Sequence, residues 1–544
     1  MEKDVFNAST YLVDRRVEAG EGDRVALAGP RGTHTYAELL DLVGRVAAGL
    51  RELGVRPEER VMIFMVDGPR MLATILGAMR MGAVPVPVST MLPADDLAEL
   101  LADSRAHVLV ASEEFAATVE GALSDGASPD VSDLVALVVD GEASVAAPAP
   151  VESYSFDQVL GTNPPRWEAR TAPYPTGPDS PALWLYTSGT TGRPKAAMHR
   201  HANIRHVAET YGHQVLGIGP DDRCLSVAKL FFAYGIGNSC FFPLSVGASA
   251  VLDPNRPTPE SVAERLVAER PTLFFGVPTF YAALLGSQIP DDAFGSVRRA
   301  VSAGEPLPAR VYGRFLDRFG VEILDGIGST EALHIFLSNR AGEVRPGTTG
   351  IAVPGYDLKI LDDAGGPVER GKPGSLYVRG PSLALGYWCR TDTTRRVFQG
   401  EWLYTGDTYM EDEDGYYSCM GRTDDMIKAG GIWVAPSDVE NRLIEHPEVR
   451  QAVVVAVPDA DGIDKPVACV VVEPGARVGA DELVAFCREK LASFKRPRQV
   501  LFVDSVPTTA TGKVQRFALR EWARAQATAG AATSPRVGEQ LAGR

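Results

Sequence analysis

The chain has 544 residues, of which 45% are hydrophobic and 23% charged, with a formal net charge of −16. That length exceeds one ordinary core and asks for two or more domains. No apolar run reaches membrane-spanning length, and the acidity argues against nonspecific nucleic-acid binding, though not against an anionic ligand at a locally positive site.

The N-terminal stretch MEKDVFNAST is polar and lacks an apolar h-region, so a cytoplasmic location is expected. Arg24–Gly29 (RVALAG) reads as a strand and Tyr36–Leu53 as an amphipathic helix. Arg60–Val66, a helix over about Pro69–Met81, and Val84–Val88 repeat the strand–helix–strand order. Ala106–Ser112 and Leu134–Asp140 continue it. Nearly all-apolar strands alternating with helices predict a mostly parallel sheet covered on both faces. From Gly141 to Ser180 the composition turns to Ala, Pro, Ser and Thr, which reads as a surface excursion.

Ala182–Tyr186 reads as a buried strand. It is followed by YTSGTTGRPK (Tyr186–Lys195) and a helix over about His201–His213. A strand, then a loop of small hydroxyl and glycine residues, then a helix is one way proteins hold phosphate, through backbone N–H groups and hydroxyls. The loop fits neither GxxxxGK[ST] nor GxGxxG, and such a loop taken alone is more often a turn. His199, His201, His206 and His213 have no Cys or carboxylate partner at a metal spacing and read as helix and surface histidines. The six cysteines are scattered without CxxC spacing, which argues against a zinc site and a disulfide framework.

Cys224–Ala228, Thr272–Pro278, Arg298–Gly304 and Val321–Gly328 resume the αβ pattern. Beyond Thr348, short strands such as LKILDD and GSLYVRG suggest a β-rich subdomain. Past Gly421–Gly431 comes a compact set: a helix at Pro436–Glu445, strands AVVVAVP and VACVVVE, a helix at Ala480–Leu491, and strand VLFVD. The expected division is a large domain over 1–423, a small one over 424–524, and a disordered Ala/Gly/Thr/Ser tail over 525–544. The fold class is α/β: a large N-terminal domain of parallel sheets sandwiched by helices, a β-rich subdomain, and a smaller α+β C-terminal domain.

Further motifs punctuate this order. SAGEPL (Ser302–Leu307) and DGIGSTE (Asp325–Glu331) end predicted strands, where open parallel sheets bind ligands. YTGD (Tyr404–Asp407), GRTDDMIK (Gly421–Lys428) and PTTATGKVQR (Pro507–Arg516) follow. With the Tyr186–Lys195 loop, these segments in this order resemble the adenylate-forming enzymes, a family that includes acyl-CoA synthetases, peptide-synthetase adenylation domains and beetle luciferases. The resemblance runs from about Phe6 to Leu519. KLFFAYGIGNS (Lys229–Ser239), STEALHIFLSN (Ser329–Asn339) and FNASTYLVDR (Phe6–Arg15) are most similar to bacterial benzoate–CoA ligases.

The resemblance implies two half-reactions at one site: ATP activates a carboxylate as an acyl adenylate with loss of pyrophosphate, and the thiol of coenzyme A then displaces AMP. Thr187, Ser188, Gly189, Thr190, Thr191 and Gly192 match the loop holding the β- and γ-phosphates, with Lys195 adding charge. Thr330 matches the α-phosphate contact and Glu331 the Mg²⁺ ligand; Ser329–Glu331 also suits a helix cap. Gly304, Glu305, Pro306, Asp325, Gly326, Ile327 and Gly328 match the adenine surface. Asp407 matches the ribose carboxylate, with Arg422 beside it, although an Asp in a TGD turn is otherwise a turn residue.

Lys513 matches the catalytic lysine on the small, mobile domain; a lysine in a TGK turn is otherwise a solvated one. Asp424 matches the hinge, and Lys428, Gly430, Gly431 and Trp433 match the pantetheine channel. Ala233, Tyr234, Gly235, Ile327, Gly328, His334 and Ile335 match an aryl pocket. The expected partners are an aromatic carboxylic acid, ATP with Mg²⁺, and CoA, with no nucleic acid and no membrane. A carrier-protein phosphopantetheine is the alternative acceptor, and homodimer formation is open. A non-catalytic acyl or nucleotide sensor is the reading from another class. Loss of Lys513, Glu331 or Asp407 would mark it, and all three are present.

Overall fold

The computed structural model describes residues 5–124, 131–143, 145, 147–161, 172–187, 194–429, 432–459, 464–507 and 514–528. Two sheets dominate the large domain. The first is wholly parallel, in the order Val84–Pro87, Arg60–Phe64, Val108–Ser112, Ala136–Asp140, Glu152–Ser155. The second has nine strands. Its parallel centre comprises Ile323–Gly328, Arg299–Ser302, Leu273–Gly276, Arg223–Ser226, Ser249–Val251 and Val25–Ala28, and antiparallel strands flank it on both edges.

Side chains along Arg60–Phe64, Leu273–Gly276 and Arg299–Ser302 alternate between two cores, as the period of two requires. Val61 and Ile63 join Ala26, Leu27, Leu273 and Phe275 in one continuous core running through helices Tyr36–Glu52 and Pro69–Arg80. Met62 and Phe64 face helices Ala94–Ser104 and Ala116–Leu123 instead. Leu225, Phe274 and Ala300 pack under Tyr281, Leu284 and Phe315. Helix Pro69–Arg80 is buried at every position but Arg70, which suits a helix apolar nearly all round.

A five-stranded antiparallel sheet (Asp357–Leu361, Gly374–Arg379, Phe398–Gln399, Trp402–Glu411, Tyr417–Arg422) forms the β-rich subdomain. C-terminal to it, Val449–Pro458, Asp464–Val472 and Gln499–Phe502 form a three-stranded sheet. Helices Pro436–Ile444 and Ala480–Lys490 cover one face of it, and helix Arg516–Thr528 covers the other.

The structure corrects four expectations. The 141–180 stretch is more than a surface excursion: Glu152–Ser155 adds the edge strand of the first sheet, and Ser155 caps helix Phe156–Leu160 through a capping box with Gln158. An edge strand reading ESYS carries no apolar run, so periodicity does not reveal it. The Tyr186–Lys195 loop joins two antiparallel strands, Pro181–Thr187 and Lys195–Arg200, so a strand stands between it and the helix, which starts at His201 as expected. His199 and His201 are not surface residues but completely buried, His199 on the second hairpin strand. Helix Arg516–Thr528 continues past the expected start of the tail at 525.

Candidate active site

The hairpin closes its loop on the cross-strand pair Thr187 and Lys195. Loop residues Ser188, Gly189, Thr190, Thr191 and Gly192 lie outside the described residues. The first strand is anchored from both sides, with Leu183 and Leu185 in the central core and Trp184 in the neighbouring one. The second strand receives a further segment, Ala384–Trp388. Met198 N–H donates to Gly386, Leu385 N–H to Met198, and Trp388 N–H to Ala196. Lys195 Nζ stands 5.1 Å from the Tyr387 ring centroid.

Where strand Ile323–Gly328 ends, Ser329, Thr330 and Glu331 form a tight turn. Ser329 Oγ accepts the Ala332 N–H at 3.1 Å, but no helix follows, so Ser329 closes a turn and caps no helix, and Thr330 and Glu331 lie half-exposed beside it. His199 Nε2 lies 2.8 Å from the Thr330 carbonyl, and the Asn203 amide nitrogen lies 3.0 Å from His199 Nδ1. An amide donor at Nδ1 assigns the proton to Nε2, which donates to Thr330. Burial pushes the His199 pKa down to about 4, so the ring is neutral. Tyr387 donates its hydroxyl to Glu331 Oε1 at 2.6 Å. Sequence reading missed both residues. In the chain His199 reads as a helix or surface histidine, and Tyr387 belongs to a segment whose bridge partner, Ala197, lies 190 positions away.

The Glu331 carboxylate has no cluster of metal-binding side chains around it, and among the described residues no group of three or more His, Cys, Asp or Glu could hold an ion. That donor set fits Mg²⁺ carried on phosphate oxygens, which takes one or two carboxylates and keeps water, and it does not fit an all-protein cage.

Gly304, Glu305 and Pro306 follow strand Arg299–Ser302, beside the end of strand Ile323–Gly328, which supplies Asp325, Gly326, Ile327 and Gly328. Asp325 turns inward: its carboxyl accepts the Leu307 N–H at 3.3 Å, and burial raises its pKa well above the carboxylate range. It therefore braces the 304–307 loop from below. Asp407 and Arg422 are cross-strand partners, and their side chains meet at 3.0 Å.

The expected aryl wall is built largely of rings. Tyr234 is held by its hydroxyl, whose single proton is shared between the carbonyls of Gly276 and Val301, each at 3.2 Å. The His334 ring lies 5.6 Å from Tyr234, 5.4 Å from Tyr211 and 4.5 Å from Phe242. His334 Nε2 faces two acceptors, the Tyr234 carbonyl at 3.3 Å and Asn238 Oδ1 at 3.2 Å, so it carries the proton. Burial lowers its pKa to about 3. Ala233 and Gly235 flank Tyr234 in the helix Ala233–Ile236, and Ile335 is buried on the strand that pairs back onto Gly328. A Cβ at Gly328 would sit 2.4 Å from the His334 carbonyl oxygen, so only glycine allows this crossing.

The small domain meets this face. The Val514 N–H donates to Glu305 Oε1 at 3.0 Å, and Arg310 donates to the carbonyls of Ile444 and His446. Lys513, Gly430 and Gly431 lie outside the described residues. Asp424 occupies the turn Thr423–Asp425, and Lys428 and Trp433 are cross-strand partners in the two-stranded ladder after it. Among the described residues no helix is long and apolar enough to cross a membrane.

Comparison with known proteins agrees with this geometry. The AMP-binding enzyme family matches residues 13–388, and the AMP-binding enzyme C-terminal domain matches residues 438–513. The chain is 44% identical to a benzoate–CoA ligase of Thauera aromatica, over 95% of this chain and 96% of that one. It is 41% identical to a 4-hydroxybenzoate–CoA/benzoate–CoA ligase of Rhodopseudomonas palustris, over 95% and 94%. Among solved structures, a benzoate CoA ligase from Burkholderia xenovorans LB400 superposes with a TM-score of 0.85 at 42% identity, covering 95% of this chain and 100% of the other.

Proposed function

Because the chain belongs to the AMP-binding enzyme family, we propose that it is an ATP-dependent aryl-CoA ligase acting on benzoate or a close substituted benzoate. It uses ATP, Mg²⁺ and CoA. In the first half-reaction a carboxylate oxygen of the acid attacks the α-phosphorus of ATP, and the bond to the pyrophosphate oxygen breaks. In the second, the CoA sulfur attacks the acyl carbon, and AMP leaves with the electron pair of the broken C–O bond.

The first step drives one anion onto another, so charge neutralisation and positioning dominate. Thr187 and the loop through Gly192 hold the β- and γ-phosphates with Lys195. Thr330 binds the α-phosphate, and Glu331 holds the cation that neutralises phosphate charge when bound. The Gly304–Pro306 loop and the Gly326–Gly328 strand end form the adenine surface, and Asp407 takes the ribose hydroxyls. The observation that supports an aryl acid is the position of the ring wall. The Tyr234 ring packs on His334, and the His334 backbone crosses Gly328, one residue before the Ser329–Glu331 turn, which supports a ring-lined pocket beside the phosphate-handling turn. Flat rings pack against such a wall through their faces and edges, which a flexible acyl chain does not match.

CoA-dependent AMP release measured across benzoates, cinnamates, cyclohexanecarboxylate and hexanoate tests this reading. Benzoate is expected to exceed hexanoate in kcat/KM by at least the roughly 10–200-fold discrimination an apolar pocket supplies. A clear preference for hexanoate overturns it.

The small domain carries Lys513 and turns at Asp424 between the half-reactions, withdrawing the lysine and bringing Lys428, Gly430, Gly431 and Trp433 to line the pantetheine arm. Asp424→Pro fixes φ in the Thr423–Asp425 turn. It is expected to slow thioester formation about tenfold more than adenylation, since each 1.4 kcal/mol of added barrier is tenfold in rate. Equal losses in pyrophosphate exchange and CoA-dependent turnover would remove the hinge role.

A further inference from the structure

Tyr387 stands where three separately built parts of the molecule converge. Its backbone bridges Ala197 on the second strand of the phosphate hairpin, and its N–H donates to Thr394 Oγ1 at 3.0 Å. Its ring meets Phe398 edge-on at 5.5 Å on one side and the Lys195 ammonium on another. Gly386 before it has φ +139, and a Cβ there would sit 2.7 Å from Thr394, so the approach of this segment depends on glycine. The tyrosine is 5% exposed. The remaining freedom, rotation of the hydroxyl, is spent on Glu331 Oε1 at 2.6 Å, a length typical of a hydroxyl donating to a carboxylate. The same segment also takes the other side of that residue: the Ala384 N–H donates to the Glu331 carbonyl at 2.8 Å.

We propose that Tyr387 is a positioning residue for the cation-binding step. It fixes the rotamer of Glu331 by engaging one carboxylate oxygen, leaves Oε2 for a divalent cation, and holds Lys195 over its ring face at the mouth of the phosphate hairpin. The inference rests on the reading of Glu331 as the residue that holds the cation. A carboxylate with free torsions must be ordered each time it binds, whereas one already held binds without that loss. The pairing also ties two charges of opposite sign, Glu331 and Lys195, to one rigid ring. The hairpin and the Ser329–Glu331 turn then keep one spacing although they come from different strands.

The test compares the full-length wild type with Tyr387→Phe and Glu331→Gln. Phenylalanine keeps the ring, its packing on Phe398 and its contact with Lys195, and removes only the hydroxyl. Three readouts are taken: calorimetric ATP binding with and without Mg²⁺ in the absence of acid substrate, the Mg²⁺ titration of benzoate-dependent pyrophosphate release, and thioester formation from supplied benzoyl adenylate. Tyr387→Phe is expected to raise the Mg²⁺ midpoint about tenfold. ATP binding without Mg²⁺, and thioester formation from supplied benzoyl adenylate, are expected to stay at wild-type levels. An unshifted Mg²⁺ titration in Tyr387→Phe overturns the proposal. So does equal weakening of ATP binding with and without Mg²⁺, which marks packing damage. If Glu331→Gln itself leaves the Mg²⁺ dependence unchanged, the premise about Glu331 falls and the proposal falls with it. If only Tyr387→Phe is unshifted, the premise stands without it.

Discussion

Lys513→Ala is expected to lower benzoyl-adenylate formation by roughly 10²–10³-fold, while thioester formation from supplied benzoyl adenylate stays near its wild-type rate. In the first half-reaction negative charge concentrates between the incoming carboxylate and the α-phosphate. An ammonium bridging the two is worth most at that moment, in a site from which water is excluded. In the second half-reaction the nucleophile is a thiol and the leaving group is AMP, and under the proposed domain rotation the lysine is withdrawn. The neighbouring geometry fits a lysine serving the first step, since Val514, the next residue, has its N–H on Glu305 of the loop that follows strand Arg299–Ser302. The check is pyrophosphate release with benzoate and ATP, set beside CoA consumption with synthetic benzoyl adenylate. Equal losses in both would remove Lys513 from the chemistry and leave it a residue of domain packing.

Glu331→Gln is expected to reduce adenylation about 100-fold. The replacement is nearly isosteric, and its amide oxygen still accepts from the Tyr387 hydroxyl, so the turn around Ser329 keeps its hydrogen bonds. The negative charge offered to the cation is what disappears. The loss should be partly recovered by raising Mg²⁺, and the melting temperature should move little because Glu331 is half-exposed and buries no new group. A loss that no Mg²⁺ concentration relieves, accompanied by a lowered melting temperature, would assign Glu331 to the stability of the turn instead.

Much of the large domain is legible in the chain because its strands are buried on both faces. RVMIF, VLVAS and LFFG have to be apolar at nearly every position, and only a parallel sheet clad in helices accepts such runs. The polar edge strand Glu152–Ser155 and the mixed strand Lys195–Arg200 (KAAMHR) escape the same reasoning. The first is half in solvent, and the second is paired on one side by a segment from Ala384–Trp388. His199 shows how a type assignment fails. A histidine in a polar stretch looks solvated until the strand turns it toward Asn203 and the Thr330 carbonyl.

By itself the sequence determined the order of the motifs, the layered α/β class, and the candidate residues, because these depend on local composition and on short segments read one at a time. The tertiary structure alone decided that strands Pro181–Thr187 and Lys195–Arg200 pair as a hairpin, that Asp325 faces inward to brace Leu307, and that Tyr387 reaches Glu331. The reason is range. A hydrogen bond between residues 56 positions apart, or a β-bridge across 190, leaves no period or spacing in the chain and exists only once the sheets have stacked.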